Sequence, residues 1–304
     1  AAGSQAAANN SRDLKRAFVE ERRRRLVEDL TDAIEGELRI DRVAVSAYST
    51  DASLYEIEPL AVAFPRHCRD VEILAAYSAD NNIPLIARGA GSGLAGGAIG
   101  SGIVIDFSRH MHQIKAISED RVRVQTGVVR EKLNEKLREH GRYYAPDPSN
   151  SLITTVGGML GVDGAGSHAI RVGSARDHVE SIECVLSGGQ RLELGRERII
   201  RHETPSEMIP LNRDSAVILS DSAQSDSLPL SGMTAMTRRT LLLEQVEKIL
   251  RENEQLIREQ QPALLRNCCG YQLRGILQQD YMNLPRMLVG SEGTLGLFTE
   301  ATLF

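Results

Sequence analysis

The sequence predicts an α+β fold. Segments of helical period alternate along it with short apolar segments of strand type. Its most glycine-rich stretch, RGAGSGLAGGAIGSG, joins two such strands directly. The six residues between Gly96 and the second strand are half glycine, too few for a crossover helix, which with its loops needs about a dozen.

The elements follow in order. From about Leu14 to Leu38 the chain reads as an amphipathic helix, because Phe18, Leu26, Leu30 and Ile34 recur at helical spacing. YSTDASLYEIEPLAVAFPR is a polar turn followed by an apolar stretch. Asp70 is expected to N-cap a helix over VEILAAYSADNN. IPLIAR is expected as a short buried strand that runs into the glycine stretch, and GIVIDFS as the next strand. A strand at Val122–Thr126, a helix at Val129–His140 and the loop YYAPDPSNS come next. A second glycine cluster, TTVGGMLGVDGAGSHAIRVG, precedes HVESIECVLSGGQRLEL, a β-hairpin that turns at Ser187-Gly188-Gly189-Gln190. From about Arg196 to Arg239 the pattern is polar, a long excursion. A helix over Thr240–Glu259 carries Leu242, Val246, Ile249, Leu250 and Ile257 as its apolar stripe. RMLVGSEGTLGLFTEATLF then reads as strand, glycine turn, strand.

Composition narrows the function. The chain has 304 residues, 41% hydrophobic and 25% charged, with net charge -5, as in a soluble globular protein with a sizeable core. The acidic balance argues against nucleic acid as the main partner. The one basic run, Arg22 to Arg25, is flanked by Glu20, Glu21, Glu28 and Asp29 and reads as a solvated helix face. The four cysteines, Cys68, Cys184, Cys268 and Cys269, show no C-x-x-C spacing and read as reduced thiols, with no metal site implied. No apolar run is long enough for a membrane span and no signal peptide is apparent; Ala1 to Asn10 read as a flexible start. The expected location is the cytoplasm, with peripheral attachment to the inner membrane left open. The oligomeric state is not readable.

Gly91-Ser92-Gly93-Leu94-Ala95-Gly96 fits G-x-G-x-x-G, but that dinucleotide motif requires a helix directly after the loop. The alternatives are a loop that wraps an anion with its own backbone N–H groups and a glycine-rich hairpin without a ligand. Seven glycines between positions 89 and 102 favour the first, because they cost conformational entropy that a plain hairpin does not need. Ser92 can add a hydroxyl.

PLIARGAGSGLAGGAIGSGIVIDFSR, PDPSN, TTVGGML and LVGSEGTLG resemble, in order, the FAD-linked dehydrogenases of the vanillyl-alcohol oxidase superfamily, the PCMH-type FAD-binding proteins. The nearest group looks like the D-lactate, glycolate and 2-hydroxyglutarate dehydrogenases. YSTDASLYEIEPLAVAFPR and RNCCGYQLRG resemble long members with a fused iron–sulfur region. The resemblance covers about Asp41 to Phe304 apart from the polar excursion. It implies two α+β subdomains, about 41–120 and about 121–304, after an N-terminal start and helix over 1–40, with non-covalent FAD between them. It also implies a substrate domain beyond Phe304 and places any iron–sulfur cluster there, outside this chain.

By resemblance, Arg88, Gly89, Ala90, Gly91, Ser92, Gly93 and Leu94 wrap the pyrophosphate. Pro146, Asp147, Gly157 and Gly158 line the cofactor from the second subdomain. Asp163, Gly164 and Ser167 follow it along, Ile182 touches the adenine end, and Glu292 and Gly293 close the site. Asp163 stands where relatives usually carry Asn, and a carboxylate beside a pyrophosphate is unfavourable unless it points away or accepts a ribose hydroxyl. His168 reads as an ordinary polar loop residue. No catalytic acid or base is named, since none of the seven histidines has a metal-like partner at i+4 on a helix. The implied function is hydride transfer from a small 2-hydroxy acid to flavin N5, with an electron acceptor as second partner. A cell-wall-precursor-type FAD reductase, or a flavin-binding module without turnover of its own, are the alternatives.

Overall fold

The computed structural model describes residues 17–199, 235–261, 264 and 270–304. Two sheets organise them. The first is built from β1 (Glu37–Arg39), β2 (Ala61–Phe64), β3 (Leu85–Arg88) and β4 (Ile103–Asp106), in the order β1-β2-β4-β3. β2, β4 and β3 run parallel, and β1 is antiparallel on the edge. Helix α1 (17–30) covers this sheet through Leu26 and Leu30. The short α2 (Arg42–Ala47) follows β1. Helix α3 (Cys68–Asp80) adds Val71 and Leu74 to the same core, packed on Ala61, Ala63, Ile103 and Ile105.

The second sheet is antiparallel, in the order β5-β6-β11-β7-β8. Its strands are β5 (Ile114–Ile117), β6 (Val122–Gln125), β7 (Val179–Val185), β8 (Arg191–Leu194) and β11 (Leu297–Leu303). Helix α4 (Arg130–Arg138) buries Leu133 and Leu137 in its core, and α5 (Val156–Val162) buries Met159 and Leu160. A short α6 (Ala169–Val172) and a 3-10 turn (Ala175–His178) lead into β7. Beyond it lie α7 (Ala235–Glu252), α8 (Glu254–Gln260), α9 (Leu284–Leu288) and a two-stranded pair of β9 (Arg196–Arg198) with β10 (Tyr281–Asn283). β11 lies at the centre of the second sheet, so the last described strand completes it. Val185 and Leu297 belong to the first core and join the two layers.

The β7–β8 hairpin forms as the pattern predicts, with Leu186 N–H donating to Gln190 O across the turn (2.8 Å). Several expectations are corrected. The first helix stops at residue 30 and makes way for β1. Asp70 is not the N-cap of α3. His67 takes that position, and Asp70 is buried three residues on, where its carboxylate accepts the N–H groups of Glu35 (2.9 Å) and Arg66 (2.8 Å). β3 is half-buried rather than buried, because it is the edge of its sheet. VGGMLGV is helical despite its glycines, since Thr155 caps it and its apolar side chains face the core. The predicted helix over 240–259 breaks at Asn253, and RML of the closing segment is the end of α9, not a strand. Cys268, Cys269 and most of the polar excursion lie outside the described residues; its first strand, β9, pairs with β10.

Candidate cofactor site

β3 and β4 are parallel neighbours, so residues 89–102 are the whole crossover between them, with no helix in it. The loop starts against α5. A Cβ on Gly89 would lie 2.1 Å from Thr155 Oγ1, and Ser92 Oγ sits 3.5 Å from Thr154 Oγ1. The two glycine clusters, far apart in sequence, therefore touch.

Their backbone donors are used differently. In the first turn of α5, Val156 N–H donates to Val128 O (2.8 Å), Gly157 N–H to Thr126 O (2.7 Å) and Gly158 N–H to Thr155 Oγ1 (3.1 Å). The helix N-terminus is thus committed within the protein. By contrast, the N–H groups of residues 90–94 donate to no protein acceptor among the described residues. Main-chain donors left open this way face solvent or a ligand. Gly93 has nothing within 4 Å of its Cβ position, and Leu94 is 79% exposed. The first glycine loop, not the helix end, has the donors for an anion.

The loop is shaped from behind by Arg88, the last residue of β3. Its Nη1 donates to Ala98 O (3.1 Å), and its guanidinium stacks 4.9 Å from the Tyr48 ring centroid. Gly91 sits on that guanidinium with φ +64, where a Cβ would meet Nη2 at 2.7 Å. Burial, and then the hydrogen bond to Asp106, push the Tyr48 phenol well above its ordinary pKa, so it stays a neutral donor under Arg88. The side chain of Arg88 therefore shapes the loop, and Ala90 is exposed beside it.

The SEGTLG turn also reaches the loop. Glu292 Oε2 lies 3.8 Å from the Cβ position of Gly97, and Gly293 faces Ala87 at the same distance. Glu292 N–H donates to Gly161 O (2.9 Å), which fastens the turn to the end of α5. Gly158 is on the first turn of that helix, while Gly157 packs directly on Thr126.

PDPSN and the second glycine cluster meet at a neighbouring cleft of about 680 Å³, lined by Arg130, Tyr143, Asp147, Ser167, His168 and Arg171. Pro146 is buried and its carbonyl accepts from Arg130 Nε (3.0 Å). Asp147 N–H donates to Ala165 O (2.6 Å), and its carboxylate accepts from Ser167 Oγ (3.2 Å) and contacts His168 Nδ1. Burial works against the Asp147 charge, but the hydrogen bonds from His168 and Ser167 outweigh it and hold the carboxyl below its ordinary pKa. His168 is therefore the partner of a site carboxylate. Gly164 is buried at the end of α5, its N–H donating to Met159 O (2.7 Å).

Two of the expected residues lie away from this surface. Ile182 is fully buried in the second core, between β8 and β11, with no face open to a ligand. Asp163 is 1% exposed, and its carboxylate turns inward to Arg176, accepting the Arg176 N–H (3.0 Å) and pairing with Nη1 (3.4 Å). It points away, as a carboxylate at that position must if a pyrophosphate is near. Thr155 and Arg176 were not singled out by the sequence reading. A Thr directly before an apolar helical turn is a capping signal that marks the first; nothing local marks the second. Among the described residues no cluster of His, Cys, Asp and Glu has the makings of a metal site, and no helix is long and apolar enough to cross a membrane.

Residues 59–195 match a family model described as an FAD binding domain. This stretch is thus similar to an FAD-binding domain. It spans β2 to β8 and holds both glycine clusters. The chain is 34% identical over 262 residues to D-2-hydroxyglutarate dehydrogenase of Escherichia coli (strain K12), covering 84% of this chain and 23% of that protein. It is 33% identical over 153 residues to glycolate oxidase subunit GlcD of Bacillus subtilis (strain 168), covering 49% of this chain and 32% of the relative. The chain thus spans about a quarter of the D-2-hydroxyglutarate dehydrogenase it matches. Among solved structures, alkyldihydroxyacetonephosphate synthase shares the fold, with TM-score 0.58 at 18% identity over 92% of this chain and 40% of that one. The α+β architecture expected from the sequence is the one found, and the match to an FAD binding domain agrees with the cofactor that the motifs imply.

Proposed function

We propose that this chain holds the flavin of a dehydrogenase acting on a small 2-hydroxy acid. The observation that carries the site is the row of open N–H groups at residues 90–94, beside an α5 N-terminus whose own donors are spent. In this reading Gly89 to Leu94 hold the pyrophosphate with main-chain N–H groups, with Arg88 fixing their curvature from behind. Gly158 and the Glu292–Gly293 turn close the cradle, and Pro146, Asp147, Gly164 and Ser167 line its far end. Asp163 and Ile182 act from the interior. When bound, FAD would supply the redox chemistry, as the hydride acceptor in a two-electron oxidation of the carbon that bears the substrate hydroxyl, whose proton is released.

The substrate class rests on what the relatives are named for, D-2-hydroxyglutarate and glycolate. An electron acceptor is the second partner. Cytoplasmic residence belongs to the same proposal, and the free thiols of Cys68 and Cys184 fit a reducing compartment. The full-length protein should purify with FAD that heat or acid releases, and should bind FMN far less well. Anaerobic addition of D-2-hydroxyglutarate, D-lactate or glycolate should bleach the flavin absorbance with at least one of them. A bound flavin that none of the three bleaches would remove the proposed substrate class while leaving the cofactor site standing.

A further inference from the structure

The pair Asp163–Arg176 joins two of the cradle's supports, the end of α5 and the 289–293 turn. Both side chains are nearly closed to solvent, at 1% and 5% for the residues. Asp163 ends α5 in a left-handed conformation, with φ +53. Its carboxylate holds Arg176 through the backbone N–H (3.0 Å) and through Nη1 (3.4 Å). Arg176 Nη2 then donates to Val289 O (2.7 Å), at the start of the SEGTLG turn. The next residue, Gly290, lies on the guanidinium so closely that a Cβ would meet Nη2 at 2.8 Å. Gly290 N–H reaches Leu160 O (2.8 Å) and Glu292 N–H reaches Gly161 O (2.9 Å), so the turn is laced along the end of α5. Its front is Glu292 and Gly293, which face Gly97 and Ala87 of the glycine loop and β3.

We infer that Arg176, held by Asp163, is a positioning residue for the cofactor: it sets the 289–293 turn against the first glycine loop, and so sets how tightly FAD is held. The inference rests on the functional reading above. A planar guanidinium offers several fixed donors and can hold a carboxylate and a carbonyl at once, which neither Lys nor an apolar side chain reproduces. A buried ion pair is weak evidence for stability by itself, and its best-attested use is to specify one arrangement. Here that arrangement joins the end of α5 to the turn that meets the glycine loop.

The test uses the full-length protein, stripped of flavin and titrated with FAD, with thermal midpoints of the flavin-free forms measured in parallel. Arg176→Met should weaken FAD binding by at least about tenfold, equivalent to ~1.4 kcal/mol. The double variant Arg176→Met/Asp163→Asn leaves no lone buried charge. It should recover most of the thermal midpoint but not the affinity. It also carries the test if the single variant does not fold. Leu192→Ala, in the second core, should lower the midpoint and leave the affinity alone. If the double variant binds FAD as wild type does, or Leu192→Ala weakens FAD as much as Arg176→Met, the pair is merely structural and the inference is overturned. A wild-type protein that binds no FAD would overturn the functional reading itself.

Discussion

Gly89 and Thr155 occupy adjoining volume: a Cβ on Gly89 would lie 2.1 Å from Thr155 Oγ1, and that same oxygen caps α5 by accepting the Gly158 N–H. The first glycine of one cluster is thus fixed by the helix cap of the other, and the two glycine clusters meet at one contact.

This contact makes a paired prediction. Gly89→Ala should push Thr155 out of its cap and weaken both FAD binding and folding. Thr155→Ala should cost about 1 kcal/mol through the lost cap. The double variant Gly89→Ala/Thr155→Ala should be less damaged than the sum of the two, because removing Oγ1 makes room for the new methyl. Urea titration of the four proteins checks this, and strict additivity would contradict the contact.

The buried thiols should be inert. Burial pushes Cys68 up to about 11 and Cys184 up to about 12, the neighbouring Glu183 carboxylate adding to the shift in both. The thiolate is the reactive form, so both should stay protonated and unreactive at neutral pH. Mass spectrometry after brief iodoacetamide treatment should find neither modified in the native protein and both modified in denaturant.

The outer face of the second sheet carries an ion-pair ladder. Arg123 donates to Glu193 (2.7 Å) and to Glu300 (2.7 Å) across β6, β8 and β11. The hydrogen bond from Arg123 holds Glu193 below its ordinary value of 4.5, against a smaller opposing effect of burial. A depressed folded-state value contributes stability that is present above the unfolded value and is lost as pH falls through the folded one. Arg123→Met should therefore lower the thermal midpoint at neutral pH, and its gap from wild type should narrow below about pH 4.5. A gap that widens on acidification would contradict the assignment.

Much of this was legible in the sequence, for reasons that differ by element. The hairpin at Ser187–Gln190 and the helix over Arg130–Arg138 follow from local pattern and turn chemistry. The glycine loop was legible because its residues leave no space for a helix. Asp70 was misjudged because a carboxylate serves its neighbours' N–H groups equally well from inside the first turn as from the cap. RML read as a strand because a short apolar run before a glycine looks alike in helix and strand. The contact of Arg176 with Val289 spans more than a hundred residues, and no local pattern announces it.

The central claim is that the main-chain donors of residues 90–94 hold the FAD pyrophosphate. Gly93 tests it most directly, because its Cβ position has no protein atom within 4 Å and its φ lies outside the left-handed range. The Cβ of a valine there enters open space at the loop, among the residues whose N–H groups are open. Each charge-assisted hydrogen bond lost is worth on the order of 1.5–3 kcal/mol, so losing two would weaken binding by at least about a hundredfold. The measurement is the ratio of flavin to protein absorbance in purified Gly93→Val, alongside the thermal midpoint of its flavin-free form. Gly93→Val should carry almost no flavin with an unchanged midpoint; a full complement of FAD in this variant would contradict a pyrophosphate held by these donors.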